Sequence, residues 1–146
     1  MSMRLQNAGL PRRLAAMFYD ALLVLAVWMV VTALLLPLTG GEAITSQSVG
    51  VLEAGYRLLL LAAVVLYFAW SWTRSGQTVG MLAWRLKLVR EDERLPRWGD
   101  ALRRLAAALL SAAPCGLGYL WIVCDDNRLA WHDRLSRTRI VLMPRR

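Results

Sequence analysis

RRLAAMFYDALLVLAVWMVVTALLL, Arg12–Leu36, is almost entirely apolar, yet it carries one aspartate, Asp20, near its start. Leu14–Leu36 alone contains 23 residues with a single charge. A helix needs roughly 20 apolar residues to cross the ~30 Å hydrocarbon core of a bilayer. The stretch is therefore long enough to span a membrane, and it places a carboxylate at membrane depth.

Two further stretches have the same character. Ala54–Trp72 holds 19 residues with Arg57 as its one charge, and Leu105–Cys124 holds 20 residues without any charge. The chain is 58% hydrophobic, whereas soluble domains are about 45–50% apolar. A chain of 146 residues is too small to cover three such helices with polar surface. We predict one mostly α-helical membrane domain over residues 1–146, with helices at about 12–36, 54–73, 99–112 and 117–124.

The basic residues indicate how the chain is oriented. The net charge is +8, but the basic side chains flank the apolar stretches, so topology explains them and no nucleic-acid partner is expected. Arg4, Arg12 and Arg13 precede the first stretch, six basic residues lie in Thr73–Asp100, and none lies in Pro37–Glu53. The positive-inside rule places the N-terminus and the second loop in the cytoplasm. We predict a multi-pass protein of the plasma (inner) membrane.

The third apolar stretch conflicts with this topology if it crosses straight. Six arginines lie in Asp125–Arg146, and a third crossing would put them outside. The middle of the stretch reads SAAPCGLG, in which Pro114, Gly116 and Gly118 disfavour a continuous helix. We therefore favour two half-helices folded back as a re-entrant hairpin, with a cytoplasmic C-terminus. A kinked full crossing by residues 101–124 is the alternative.

A second pattern supports the hairpin. In MLAWRLKLVRE the residues Leu82, Trp84, Leu86 and Leu88 alternate with other residues, which is typical of a strand with one apolar face. TRIVLM, residues 138–143, is β-branched and strand-like. Two strands of this length need partners. We predict a small cytoplasmic β-sheet in which residues of about 82–90 pair with 138–143, with EDER (91–94) as a turn at its edge.

Tryptophan placement fits the same topology. Six of the seven tryptophans, all except Trp28, fall near the predicted cytoplasmic side. Tryptophan favours the headgroup zone of a bilayer. We interpret the six as an anchoring belt in preference to a ligand cage.

Asp20 requires a specific environment. A charge at membrane depth costs a few kcal/mol on insertion scales (about 3), so Asp20 should face protein and either pair with a basic residue or be protonated. Arg13 lies on the same helix face but about 10 Å away along the axis. Arg103 and Arg104 are the other candidate partners. Two interpretations remain open: an ion pair that locks two helices, or a proton or cation site.

Three other polar residues are candidates for a site. His132 adjoins Asp133 in WHDRLSRT, but neighbouring residues do not share a helix face, which disfavours a catalytic dyad. We expect Asp133 to cap a turn or to pair with Arg104, and His132 to titrate near neutral pH. In the turn SGQTVG, Gln77 and its neighbour Thr78 are expected to satisfy free backbone groups. No nucleophile motif, phosphate loop or metal-ligand set is recognisable, so no enzyme activity, cofactor or metal is expected.

Four segments together resemble the RDD family of small bacterial membrane proteins, which is named for one arginine and two aspartates. Arg13, Asp20 and Asp133 match the named residues, and Arg104 matches a recurring arginine. Met81 departs from the family's pattern, which has a basic residue after the second glycine of the turn. The matching segments are RRLAAMFYD, SGQTVGMLAWRLKLVRE, ALRRLAAALL and NRLAWHDRLSRTRIVL.

The resemblance implies membrane location and gives weight to the three named residues, and it carries a suggestion of transport without a ligand. We therefore hold two functional hypotheses. The first is transport of a small ion or solute, coupled to protons or a cation through Asp20, which in so small a chain predicts a homo-oligomer. The second is a membrane adaptor or accessory subunit with structural charges, which binds another membrane protein or anionic lipid.

Overall fold

Two long helices form the apolar part of the molecule. The computed structural model describes residues 6–40, 50–114 and 116–144. Helix α1 spans Leu10–Leu35 and continues into a 3-10 turn at Leu36–Thr39. Helix α2 spans Gly50–Arg74. Both are long and apolar enough to cross a membrane, which confirms the two predicted spans, and most of the predicted outer loop lies outside the described residues.

The segment after α2 is a short helix followed by a strand. Helix α3 covers Val79–Ala83 and strand β1 covers Leu86–Arg90, with Arg85 between them at a positive φ of 54°. The prediction that the strand begins at residue 82 was therefore wrong. Four residues of alternating hydrophobicity do not separate a strand from a helix, and here Thr78 caps the N-terminus of α3 by accepting a hydrogen bond from Met81 N–H.

The predicted sheet is present. Strand β2, Thr138–Leu142, pairs antiparallel with β1, and the register places Leu86 opposite Leu142 and Arg90 opposite Thr138. The predicted turn after β1 is closed by Arg90 N–H, which donates to the carbonyl of Arg94 at 2.9 Å. The chain just before α1 also joins β2, because Ala8 N–H donates to Ile140 O and Leu142 N–H donates to Gln6 O. The beginning of α1, the end of α2 and the sheet therefore lie at one end of the molecule, here called the head.

The third apolar stretch is broken, as its proline and glycines predict. Helix α4 spans Trp98–Ala112, and α5 spans only Leu117–Leu120 before a 3-10 turn at Trp121–Val123. The two arms are bent by 106°. Helix α6, Trp131–Ser136, then leads directly into β2. Because β2 pairs with β1, both ends of this stretch return to the head.

The hydrophobic core lies where the helices meet the sheet. Leu86, Leu88 and Val141 are fully buried there, while most of the apolar side chains on α1 and α2 are exposed along the helices, as expected for lipid-facing surfaces. Leu34 is 71% exposed and Leu58 66%. The remaining buried residues of this core are Ala8, Ala16, Ala69, Trp72, Met81 and Ala101.

Candidate functional site

Asp133 is held at the beginning of α6. It is the third residue of the helix, and its Oδ2 accepts a hydrogen bond from Ala130 N–H at 3.0 Å. Carboxylates are favoured in the first helical turn, where backbone N–H groups are free. This contact within α6 orients the carboxylate independently of any tertiary contact.

Two buried arginines converge on that carboxylate, and we call the three side chains the Asp133 cluster. Arg13 Nη1 of α1 lies 2.5 Å from Oδ2, and Arg104 Nη1 of α4 lies 2.7 Å from Oδ1. The second contact is a close ion pair and not an aligned hydrogen bond, because Oδ1 has no hydrogen-bond donor within good geometry. The expected pairing of Asp133 with Arg104 is confirmed, and Arg13 joins it.

The remaining contacts of the arginines extend the cluster to the neighbouring elements. Arg13 also donates to the carbonyls of Ala8 and Arg128, and Arg104 donates to Thr138 Oγ1 at 2.7 Å. The Arg104 guanidinium lies over the Trp72 ring, 5.6 Å from its centroid. The cluster therefore connects α1, α2, α4, α6 and β2.

The charges of the Asp133 cluster determine the protonation states of Asp133 and His132 in α6. Burial alone raises the pKa of Asp133, but the positive charges of Arg104 and Arg13 outweigh it and lower the pKa to about 2. Burial, reinforced by the charge of Arg104, lowers the pKa of His132 to about 3. The expectation that His132 titrates near neutral pH was wrong, since a buried imidazole beside two guanidiniums remains neutral there.

Asp20 lies in a different environment, here called the Asp20 cluster. Its Oδ2 accepts from Thr78 Oγ1 at 2.5 Å, and its Oδ1 accepts from Gly80 N–H and from the Tyr67 hydroxyl, both at 2.9 Å. Both hydroxyls are themselves hydrogen-bond acceptors, from Met81 N–H and Val79 N–H respectively. The carboxylate of Asp20 is therefore satisfied by two hydroxyl donors and one backbone N–H.

The predicted basic partners of Asp20 are engaged elsewhere. Arg13 and Arg104 both contact Asp133, and Arg103 Nη2 contacts Asp100 Oδ1 at 2.6 Å. Two turns of helix separate Arg13 from Asp20, about 10 Å, and the first turn of α3 occupies the space beside the aspartate. The interpretation of Asp20 as the partner of one of these arginines was wrong, because the Gly80 N–H and the hydroxyls of Thr78 and Tyr67 satisfy the carboxylate.

Gly80 permits this close approach of α3 to α1. A Cβ added at Gly80 would lie 2.1 Å from the Ala16 carbonyl oxygen and 2.9 Å from Asp20 Cγ. Gln77 connects the turn to β1, because its Nε2 donates a hydrogen bond to the carbonyl oxygen of Leu86 at 2.7 Å. Thr78 was expected only to satisfy free backbone groups, and Gly80 and Tyr67 were absent from the residues predicted to form the site. The turn motif could have indicated Gly80, but no sequence signal distinguishes Tyr67 within α2.

A cavity of about 400 Å³ adjoins both clusters. Its lining includes the polar residues Arg13, Asp20, Thr78, Arg104 and His132, but the accessible surface of the wall is almost entirely apolar. The apolar wall comes from α1, α2, α4 and the α5 region, with one residue each from α3, β1 and β2 (Met81, Leu86 and Ile140). Among residues 6–40, 50–114 and 116–144, no three His, Cys, Asp or Glu side chains are grouped so that they would hold a metal ion.

Comparison with known proteins identifies the family and nothing narrower. No curated protein and no solved structure matches the chain significantly. The sequence profile of the RDD family matches residues 7–137, which include Arg13, Asp20, Arg104 and Asp133. Because the match covers most of the chain, this membrane protein belongs to the RDD family.

Proposed function

We propose that the chain is an adaptor or accessory protein of the membrane, in which the buried charges hold the helices and the sheet in one arrangement. The observation that supports this most is the environment of Asp20. Its Oδ2 accepts a hydrogen bond from the turn, and its Oδ1 accepts hydrogen bonds from α2 and α3. A coupling carboxylate would have to exchange such partners in every cycle, whereas a structural one keeps them.

In the proposed arrangement, α1 and α2 cross the plasma membrane and the head lies on the cytoplasmic side. The α4–α5 stretch re-enters from that side, since both of its ends return to the head. Paired strands cannot lie on opposite faces of a bilayer, and lipid-facing backbone must be hydrogen-bonded internally. The excess of arginine near the head fits the positive-inside rule.

The partner that this arrangement favours is anionic lipid. The head presents six arginines, five of them exposed and Arg12 half-buried, that make no ion pair with a carboxylate of the described residues. Each basic residue beside an acidic leaflet contributes about 1 kcal/mol of attraction. We call these residues the basic collar: Arg12, Arg74, Arg94, Arg97, Arg128 and Arg137.

Lipid enrichment tests the proposal. The purified chain is placed in nanodiscs of mixed zwitterionic and anionic lipid, extracted gently, and the co-purifying lipids are quantified. The triple variant R12Q/R74Q/R128Q should retain several-fold less anionic lipid than the native chain. Arg57→Gln is the matched control, because Arg57 is exposed on α2 and pairs with Glu53 away from the head. Equal enrichment in the native chain and the triple variant would contradict the proposal.

Transport is the second candidate, and one observation favours it. Asp20 lines the cavity between the helices, so a small solute or ion entering there would meet its carboxylate. A chain with two spans would need further copies to enclose a pathway, and this candidate therefore includes a homo-oligomer. Liposomes containing a pH dye, exposed to sodium, potassium and proton gradients, would test it. A cation-dependent signal that disappears in a folded Asp20→Asn variant would favour transport over the adaptor.

A further inference from the structure

We infer that the cavity is a binding site for a long-chain fatty acid, with the carboxylate beside Arg104 and Trp72 and the hydrocarbon chain along α1. The inference goes beyond the adaptor and transport proposals, and it depends on neither. Three observations support it: the shape of the cavity, the positive charge at one end, and two buried polar atoms that have no hydrogen-bond partner.

The shape of the cavity fits a single extended chain. Its wall includes Leu10 near the start of α1 and Trp28 eighteen residues later, a distance of about 27 Å along the helix. On α2 the wall includes Trp72, Phe68 and Val64 in succession. Arg13 and Arg104 lie at the head end of the cavity, and Asp20 lies about midway between Leu10 and Trp28. The wall beyond Asp20 is apolar, as the site of an amphiphile requires.

The charge at the head end is complementary to an anion. Arg13 and Arg104 share one carboxylate, Asp133, and the neighbouring His132 is neutral, which leaves one positive charge unmatched in the cluster. Asp20 is the other carboxylate on the cavity wall. It lies about 10 Å from Arg13 along α1 and is bound by donors of α2, the turn and α3, so it compensates the excess charge only in part.

Two buried nitrogens at this end have no hydrogen-bond partner. Trp72 is 8% exposed and His132 is 5% exposed, yet Trp72 Nε1 and His132 Nδ1 are unpartnered. Both residues line the cavity. Buried polar atoms are nearly always satisfied, and the indole N–H can only donate. A carboxylate placed beside Trp72 and the Arg104 guanidinium would accept from both.

A fatty acid fits better than a phospholipid. The arginines at the polar end are 4% and 3% exposed, so the head of the ligand has to be small enough to lie beneath α6 and the sheet. A phospholipid has a bulky phosphate headgroup and a second chain, so its head is too large for that space. Fatty acids also partition into the bilayer, the phase that surrounds α1 and α2, whose side chains line the cavity.

Photolabelling tests the inference. The full chain in nanodiscs is exposed to palmitic acid carrying a diazirine in its chain, and the labelled residues are mapped by mass spectrometry. We expect saturable labelling of the cavity wall at Val24, Val64 or Phe68. Excess palmitic acid should abolish it, and the methyl ester, which lacks the carboxylate, should not. Competition by the ester to the same extent, or unsaturable labelling spread over lipid-facing residues such as Val30, would overturn the inference.

Three variants make the test specific. Val24→Trp fills the cavity and should abolish saturable labelling, whereas Val30→Trp, on an exposed part of α1 outside the cavity wall, should not change it. Trp72→Phe removes the donor and keeps a ring, and it should raise the apparent Kd about tenfold, as loss of a hydrogen bond to a charged group does. Unchanged affinity in Trp72→Phe together with unchanged labelling in Val24→Trp would place the ligand elsewhere.

Discussion

Arg13 Nη1 of α1 lies 2.5 Å from Asp133 Oδ2 of α6, although 120 residues separate the two in the sequence. The contact ties the beginning of the first membrane helix to the last helix before β2. With Arg104 on the other carboxylate oxygen, it encloses three charges in the interior of the head. Buried ion pairs rarely add much stability themselves, but removal of one partner leaves an unmatched charge that is costly.

We therefore expect Asp133→Asn to destabilise the protein strongly. The amide has nearly the same shape, but it leaves two buried guanidiniums without a counter-charge, and the expected loss is about 3–5 kcal/mol. Thermal unfolding in detergent, followed by tryptophan fluorescence, measures the change. Asp126→Asn is the matched control, because Asp126 is exposed and forms no ion pair among the described residues. A Tm for Asp133→Asn equal to that of the control would contradict the structural role of the cluster.

Gly80 should tolerate no side chain. Its missing Cβ would lie 2.1 Å from the Ala16 carbonyl, so Gly80→Ala has to push α3 away from α1 and break the hydrogen bonds to Asp20. We expect a loss of more than about 2 kcal/mol, as for an overpacked core. Gly99→Ala is the control within α4, where a Cβ meets nothing within 4 Å and alanine favours the helix. A variant Gly80→Ala as stable as Gly99→Ala would show that α3 does not pack on α1 in the membrane.

The sequence predicts the elements of this fold better than their contacts. Apolar length alone indicates α1 and α2, and Pro114 with its neighbouring glycines predicts the break after α4. The pairing of β1 with β2 follows from two apolar strand-like segments that have no other partner. The onset of β1 was misplaced because the alternation around Leu82 is too short to exclude a helix.

The pairing of acidic residues with arginines in the site was less predictable from the sequence. Arg13, Asp20, Arg104 and Asp133 were all singled out, but the sequence does not decide which of the two acids pairs with which of the two arginines. The pairing depends on the packing of α3 against α1, which brings the Gly80 N–H and the Thr78 hydroxyl to Asp20, while both arginines contact Asp133. The contribution of Tyr67 depends on the relative rotation of α1 and α2, which a single sequence does not reveal.

His132 should make the stability depend on pH. Its folded pKa of about 3 lies below the unfolded value of 6.5. Between these values the unfolded chain binds a proton that the folded chain does not, so stability falls as the pH is lowered from 6.5. The slope is at most about 1.4 kcal/mol per pH unit for one proton. Asp133, with its pKa lowered from 3.8 to about 2, adds a further loss only below pH 4.

The measurement is Tm between pH 7 and about pH 4.5, a range in which few carboxyl groups titrate. His132→Gln removes the titrating group and should flatten the decline seen in the native chain over this range. The variant is expected to be less stable overall, so the slope is compared and not the absolute Tm. Parallel slopes in the two proteins would mean that His132 is accessible to protons in the folded state.

The final prediction concerns the side of the membrane on which the chain ends. If β1 and β2 pair in the bilayer-bound protein, Asp92 in the turn after β1 and Asp126 before α6 lie on one side. Leu38, which is 80% exposed at the other end of α1, lies opposite. Single cysteines at these three positions, in a background with both native cysteines replaced by serine, are labelled in intact cells with a membrane-impermeant maleimide. Leu38→Cys should react, and Asp92→Cys and Asp126→Cys should react only after the cells are opened. Reaction of Asp126→Cys in intact cells would make the α4–α5 stretch a full crossing, and it would separate the two strands of the sheet.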